Sequence, residues 1–309
     1  MNERMRIVIA CDGSEYADNA INDLPRAGLP REAEALIVNV QEKWLVPPAI
    51  KEVVQDFAGT SESAGAKTVR AKSEPEIESV EDENLLLNKA TEKLTAFFPE
   101  WKIETFATHG SPSFQIIRKA REWNAGLIVV GSHGKDKNTI YSLGSVSQKI
   151  ANEATCSVRV VRGNAWKKGA PTRILIGLDG TRAAQWAVEE VSQRMWMPGS
   201  EVRIVTAKDS AQNKQKFDKD AKKTDEWINS FVEKAERTLK SSTLGFSKII
   251  EEGDPKKTII TIADEWGADC IFIGSCDTGN FYENILLGSV ATAVVARAHC
   301  TVEVVRHKN

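Results

Sequence analysis

Arg6-Ile-Val-Ile-Ala-Cys-Asp12-Gly13-Ser14 returns further along the chain as Arg173-Ile-Leu-Ile-Gly-Leu-Asp179-Gly180-Thr181. Both copies are an apolar, β-branched run that stops at Asp-Gly and then a hydroxyl residue. That is the text of a buried strand entering a tight turn and a capped helix. The similarity continues. Gly110-Ser-Pro112 through Glu122-Trp123-Asn-Ala-Gly-Leu-Ile-Val-Val-Gly131-Ser132 recurs as Gly253-Asp-Pro255 through Glu265-Trp266-Gly-Ala-Asp-Cys-Ile-Phe-Ile-Gly274-Ser275. Ala154-Thr-Cys156-Ser-Val-Arg-Val-Val-Arg162 recurs as Ala298-His-Cys300-Thr-Val-Glu-Val-Val-Arg306. The chain is one unit written twice, as its 309 residues, about two ordinary domains, lead one to expect.

The offset between copies falls from 167 at the first strand to 143 at the Gly-Ser-Pro turn, so the first copy carries 24 extra residues between them. They fall most naturally within Trp44 to Asn84, whose Ser/Glu/Gly text buries little apolar surface and reads as a mobile insertion. Trypsin is expected to cut first there, at Lys67, Arg70 or Lys72. The expected organisation is a first domain over 1–163 with its insertion at 44–84, a Gly/Pro/Lys linker over 164–171, and a second domain over 172–309.

Within the first copy, strand text covers Arg6 to Cys11, Ala35 to Val40, Ile103 to Ala107, Leu127 to Val130 and Ser157 to Val161. Helical spacing runs from Ser113, a candidate cap, through Phe114, Ile117, Ala120 and Trp123. Continuous apolar strands alternating with helices make a parallel sheet covered on both faces. The fold class is therefore α/β, with two tandem five-stranded, doubly wound parallel domains. Val158 to Arg162 and Val302 to Arg306 end the two copies in the same way, and an unpaired edge strand is a liability, so they are expected to pair with each other as an internal pseudo-dimer.

Charge excludes some functions. With 41 Lys+Arg against 43 Asp+Glu, the net charge of -2 gives no positive field for a nucleic-acid backbone or an anionic membrane. No apolar run approaches the roughly 20 residues that cross a bilayer, and the first residues lack a secretory signal, so a cytoplasmic protein is expected. Five cysteines scattered through strand text read as buried thiols, and Cys270 and Cys276 have the wrong spacing for a common zinc pair. The Lys run from Lys214 to Lys223 reads as a solvated face.

In a doubly wound sheet, ligands bind beyond the carboxyl ends of the strands, where chain order reverses. Here those loops hold Asp12-Gly13-Ser14 and Gly131-Ser-His-Gly134, nine residues, then Gly144-Ser145-Val146 opening a helix. Glycines let a backbone approach an anion, and the free N–H groups of a helix start, with the Ser145 hydroxyl, can hold phosphate oxygens. The loop has neither the Gly-Lys-Ser/Thr of a P-loop nor a G-x-G-x-x-G fingerprint, and plain turns also carry such glycines.

This pattern, between Leu-Ile-Val-Val and the Cys156-Ser-Val-Arg-Val-Val strand, resembles the ATP-binding signature of the universal stress protein family. The opening Val-Ile-Ala-Cys-Asp-Gly-Ser and the Gly110-Ser-Pro112 turn resemble the same family, over nearly the whole chain except Trp44 to Asn84. The resemblance implies an adenine nucleotide alpha hydrolase-like fold with strand order 3-2-1-4-5, dimerisation through the last strand, and ATP, with or without Mg2+, as cofactor. Carried over by position, Asp12 would meet the ribose or a phosphate-bound metal. Backbone at Val40 would meet adenine, and Gly131, Gly134, Gly144, Ser145 and Val146 would cradle phosphates.

His133 could touch a phosphate from inside the loop, against a competing reading as an exposed bystander. Asp12 has a competing reading as an Asx turn. The matching second set is Asp179, Ala207, Gly274, Gly288, Ser289 and Val290, but Asp277 stands where Gly134 stood and Gly279 lies one residue closer to the helix. A carboxylate near phosphate is repulsive, so the second site is expected to be degraded and the nucleotide held mainly by the first. Cys156 and Cys300 read as core residues, and Trp123 and Trp266 as packing anchors. No Ser/His/Asp set or carboxylate pair with assigned roles is visible, so no catalytic residue is named.

The expectation is a cytoplasmic ATP-binding stress-response or signalling protein with an unidentified protein partner, and a further homodimer left open. The alternatives are a scaffold or ligand-sensing protein without nucleotide, and a slow ATPase.

Overall fold

The computed structural model describes residues 4–42, 74–133, 143–163, 169–208, 221–275 and 287–307. Gly134, Cys276, Asp277, Gly279, residues 44–73 of the insertion with its tryptic sites, residues 164–168 of the linker, and Lys214 to Asp220 lie outside them.

Two five-stranded units follow one another. The first runs β1 (Met5–Ala10), α1 (Glu15–Asp23), β2 (Ala33–Gln41), α2 (Glu74–Phe97), β3 (Lys102–His109), α3 (Pro112–Glu122), β4 (Leu127–Gly131), α4 (Ser145–Glu153) and β5 (Ser157–Val161). The second runs β6 (Arg173–Gly177), α5 (Arg182–Gln193), β7 (Glu201–Lys208), α6 (Ala221–Leu239), β8 (Gly245–Glu252), α7 (Pro255–Trp266), β9 (Cys270–Gly274), α8 (Ser289–Arg297) and β10 (Thr301–Val305).

All ten strands form one sheet in the order β3-β2-β1-β4-β5-β10-β9-β6-β7-β8, an α/β fold that reproduces the expected order in each half. Every neighbouring pair is parallel except β5 and β10, which join the halves antiparallel, with Arg159 opposite Glu303 and Val160 opposite Val302. The carboxyl ends of the strands therefore point in opposite directions in the two halves, and the two switch points open on opposite rims of the sheet. The central strands carry side chains buried on both faces, as in Leu127 to Val130, which explains their continuous apolar text.

Three apolar cores result. On one face Val8, Ile128, Val158, Ile271, Val302 and Ile150 belong to a single cluster that crosses the seam. On the other face the clusters separate: Ile7, Ile37, Leu94 and Val129 pack in the first half, and Ile174, Ile204, Val232 and Phe272 in the second.

Two sequence expectations change. Helix α2 begins at Glu74, so residues 74–84 are helix and not loop. Its leading acidic text is poor in apolar residues, which hid the element from a reading based on buried surface. Helix α3 has Ser111 at its N-cap position, without a side-chain cap hydrogen bond, and opens with Pro112, whose fixed φ suits the first turn, so Ser113 is a buried interior residue and not the N-cap. The stripe facing the sheet is Ile116 and Ala120, while Phe114 is 59% exposed. Trp123 and Trp266 are partly buried against the shared core, as their repeat predicted.

Candidate functional site

In the first half β1 lies between β2 and β4, so the chain reverses its order of assembly at β1. A cleft of about 400 Å³ elsewhere straddles the seam, but the one at this switch point is larger, about 780 Å³. It collects Asp12, Val40, Gly131, His133, Gly144, Ser145 and Val146, residues from four separate stretches of sequence. The structure thus brings together every first-half site residue read from sequence that lies within the described residues.

Their local supports follow from the sequence. Gly13 has φ +78°, a left-handed turn that favours glycine, and Ser14 caps α1 by accepting from the Ala17 amide at 3.2 Å. Asp12 Oδ1 accepts from the Ser14 amide at 2.9 Å, so the Asx turn exists and the same residue also lines the cleft. Gly131 is glycine for a packing reason: a Cβ there would stand 2.5 Å from the Tyr16 carbonyl oxygen. Gly274 is its counterpart, 2.3 Å from backbone at Ala183. Both let the fourth strand pass directly beneath the helix that follows the first, so neither residue needs a phosphate to explain it.

Helix α4 is where an anion would sit. It opens at Gly144 with extended backbone and no side-chain cap, whereas α1 and α5 are capped by Ser14 and Thr181. Its first amides lack a side-chain acceptor and face the cleft with the positive end of the helix. Gly144 itself donates to the Ser132 carbonyl at 2.8 Å, and Ser147 Oγ donates to the Gly131 carbonyl at 2.5 Å, which ties helix and strand into one frame.

His133 is not an exposed bystander. It is half-buried, its ring centroid lies 5.1 Å from that of Tyr16, and Nδ1 meets Ser132 Oγ at 3.2 Å. Its Nε2 is buried without a partner among the described residues.

The sequence reading missed part of the wall. Asn39 donates Nδ2 to the Cys11 carbonyl at 2.7 Å, which fixes its orientation and leaves Oδ1 buried without a partner. A polar residue between Val38 and Val40 in an otherwise apolar strand was the available signal. Asp82, Glu83 and Leu86 enter the wall from α2. Cys11 also lines it, but burial pushes its thiol up to about 11, so it is a wall residue and not a nucleophile. Burial likewise raises Cys270 and Cys300 to about 12. His299 pairs with Asp264 at 3.1 Å.

The second set occupies the same topological places. Ala207 is the last residue but one of β7, Gly274 ends β9, and Gly288 opens α8 without a side-chain cap. Its surroundings differ. Asp179 Oδ1 accepts from both the Thr181 amide at 2.9 Å and the Thr181 hydroxyl at 2.6 Å. Over Gly180 stand Phe231 and Trp227, each with a ring atom within 2.8 Å of where a Cβ would lie, and Lys208 at the strand end is paired with Asp225.

Among the described residues no group of three or more His, Cys, Asp or Glu could hold a metal. A magnesium ion would have to take phosphate oxygens as ligands, with Asp12 the carboxylate nearest the turn. Among the same residues no helix is long and apolar enough to cross a membrane.

A doubly wound sheet with its cleft at the β1 switch point defines the adenine nucleotide alpha hydrolase-like class. The family model of the universal stress protein family matches residues 3–162 and again 171–306. The chain belongs to that family, as a tandem member. It is 31% identical over 159 residues to Universal stress protein YxiE of Bacillus subtilis strain 168, covering 51% of this chain and 98% of that protein. A universal stress protein from Archaeoglobus fulgidus superposes over 98% of both chains at a TM-score of 0.65 and 20% identity. A protein of unknown function from Pseudomonas aeruginosa does so over 98% of this chain and 92% of that one, at 0.60 and 15%. At those identities the likeness is one of fold.

Proposed function

We propose that this protein binds an adenine nucleotide, ATP with Mg2+, mainly in its first half, and acts as a cytoplasmic stress or signalling protein whose partner surface responds to occupancy. The domains are residues 1–163 and 172–309, paired as an internal pseudo-dimer. The observation that carries this reading is the cleft of about 780 Å³ that ends on the uncapped start of α4. Unpaired helix N–H groups are an anion site without further chemistry. The volume suits a nucleotide, and the buried, unpartnered Asn39 Oδ1 and His133 Nε2 are polar atoms whose partners a polar ligand could supply.

The bound nucleotide would bring a polyphosphate and the magnesium that accompanies it. The chain would supply the rest. Val40 offers backbone beside the base, Asp12 accepts from a hydroxyl or steadies the ion, and Ser145 donates to phosphate. Ser147 holds the loop helix to β4. The role proposed for these residues is binding.

Calorimetry tests the reading. ATP with Mg2+ should give about one site per chain, weakened about tenfold by Asp12→Asn. That change keeps the Oδ1 acceptor of the Asx turn and removes only the charge. Asp179→Asn should leave affinity unchanged. Two equivalent sites, or loss caused by the second variant only, would refute the asymmetry. No binding, with no nucleotide in extracts of freshly purified protein, would leave a scaffold.

A further inference from the structure

The two halves meet where β5 and β10 run antiparallel, and the pairing has an approximate two-fold axis. Residues 158, 159 and 160 correspond in the repeat to 302, 303 and 304. Val158 faces Val304 and Val160 faces Val302, so those two contacts are symmetry mates, and Arg159 faces its own counterpart Glu303 on the axis. A symmetric pair of identical halves would place the same residue against itself there. This chain places opposite charges there, both at 0% exposure.

The charges belong to a closed network. Arg159 Nε donates to Asp23 at 2.6 Å and its Nη1 to Glu303 at 2.9 Å. Arg194 binds Glu303 from the other side, with Nη1 at 2.9 Å, and reaches Glu190 through Nε at 3.0 Å. Burial opposes the charge on Arg159 and Arg194, yet Asp23 and Glu303 hold the guanidinium pKa of Arg159 above normal, and Glu303 and Glu190 hold that of Arg194 above normal. The arginines that end the two strands carry no such information. Arg162 donates to the Ala298 and Ala296 carbonyls at the end of α8, and Arg306 donates to the Ala151 and Cys156 carbonyls at and beyond the end of α4. These two arginines are repeat mates with the same task, so any pairing of halves would satisfy them. Position 159/303 is different.

We infer that the buried charges on this axis specify the partner of each edge strand: the first half accepts a half with a carboxylate at the axis and rejects a copy of itself, and the second half does the reverse. Two first halves would bring Arg159 against Arg159, each keeping only the Asp23 of its own half and neither a Glu303, with Ala27 standing where Arg194 stands in the second half. Two second halves would bring Glu303 against Glu303, with two Glu190 besides and only two Arg194 to answer four carboxylates. Like charges directly opposite on antiparallel strands are destabilising, and burial removes the screening that would soften them. The apolar pairs around the axis supply adhesion, and the charges supply choice. The edge of one copy is thereby kept from pairing with the same edge of the next.

Reversing one charge at a time in the full chain tests this. Arg159→Glu sets carboxylate against carboxylate, and Glu303→Arg sets guanidinium against guanidinium. In each variant alone, amide exchange at Val158, Val160, Val302 and Val304 should be at least tenfold faster than in the parent chain. Isotopically labelled Arg159→Glu chain, co-refolded with unlabelled Glu303→Arg chain, regains opposite charges only between chains. Native mass spectrometry should then find mixed dimers at least tenfold above self-paired dimers. A statistical mixture, or full seam protection in the single variants, would overturn the inference. A variant carrying Asp23→Leu, Arg159→Met, Arg194→Met and Glu303→Met covers the case in which a reversal fails to fold, because the buried network is removed as a whole and apolar residues replace such a network at little cost. Without the charges, its dimer fraction after refolding should exceed that of the parent at least tenfold at equal concentration. A dimer fraction equal to the parent's would also overturn it.

Discussion

The turns after β1 and after β6 start from the same text and end differently. Both have Asp-Gly and a hydroxyl cap, both have a glycine that lets the fourth strand pass under a helix, and both loop helices open at an uncapped glycine. What separates them is the helix that crosses above the turn. In the first half α2 brings Leu86 within 3.0 Å of the Cβ position at Gly13, and a cleft remains beside it. In the second half α6 brings Trp227 and Phe231, packed edge to face at 4.9 Å, over Gly180. The motif frames a site in each half, while the covering helix, which has no motif, sets how much room each frame keeps.

The comparison can be broken most forcefully at its shared glycines. Gly131→Val and Gly274→Val should each cost about 3 kcal/mol or more, since the new side chain meets helix backbone that cannot move aside. Denaturant unfolding should report comparable losses for both. If Gly131→Val abolished nucleotide binding with stability intact, this glycine would be a ligand residue after all.

Exchanging the covering side chains sharpens the contrast. Leu86→Trp should lower affinity for ATP about tenfold by filling the first cleft, with little change in thermal midpoint, because Leu86 is only partly buried. Trp227→Leu should open space over Gly180 and cost about 2 kcal/mol of packing. Unchanged affinity in the first variant would remove α2 from the explanation of the asymmetry.

The smallest effect should be the most symmetrical. Ser14→Ala and Thr181→Ala each delete an N-cap acceptor at 3.2 Å from a helix amide, and each should cost about 1 kcal/mol. A cost in one half more than twice that in the other would mean that the turns are not equivalent.

The repeat, the strands and the glycine loops were legible because they rest on local text, while the strand order came only from the family resemblance. Five apolar runs per copy, Asp-Gly turns and spaced glycines are readable from neighbours a few positions apart. The first turns of helix α2 were not, because they are polar, and its apolar stripe of Leu87, Ala90 and Leu94 begins only beyond residue 84. Nor was the packing duty of Gly131, whose constraint comes from Tyr16, more than a hundred residues away.

The sequence by itself determined that this chain is a doubled α/β unit with an anion-ready turn in each copy, since strand burial and helix capping act over short distances. The tertiary structure decided which atoms share a cleft, that Asn39 and His133 end with orphaned polar atoms in its frame, and that Arg159 and Glu303 meet on the axis between the halves. The last of these depends on the register of two strands 144 residues apart in sequence. Register is fixed by the packing of whole faces and not by any neighbouring residue.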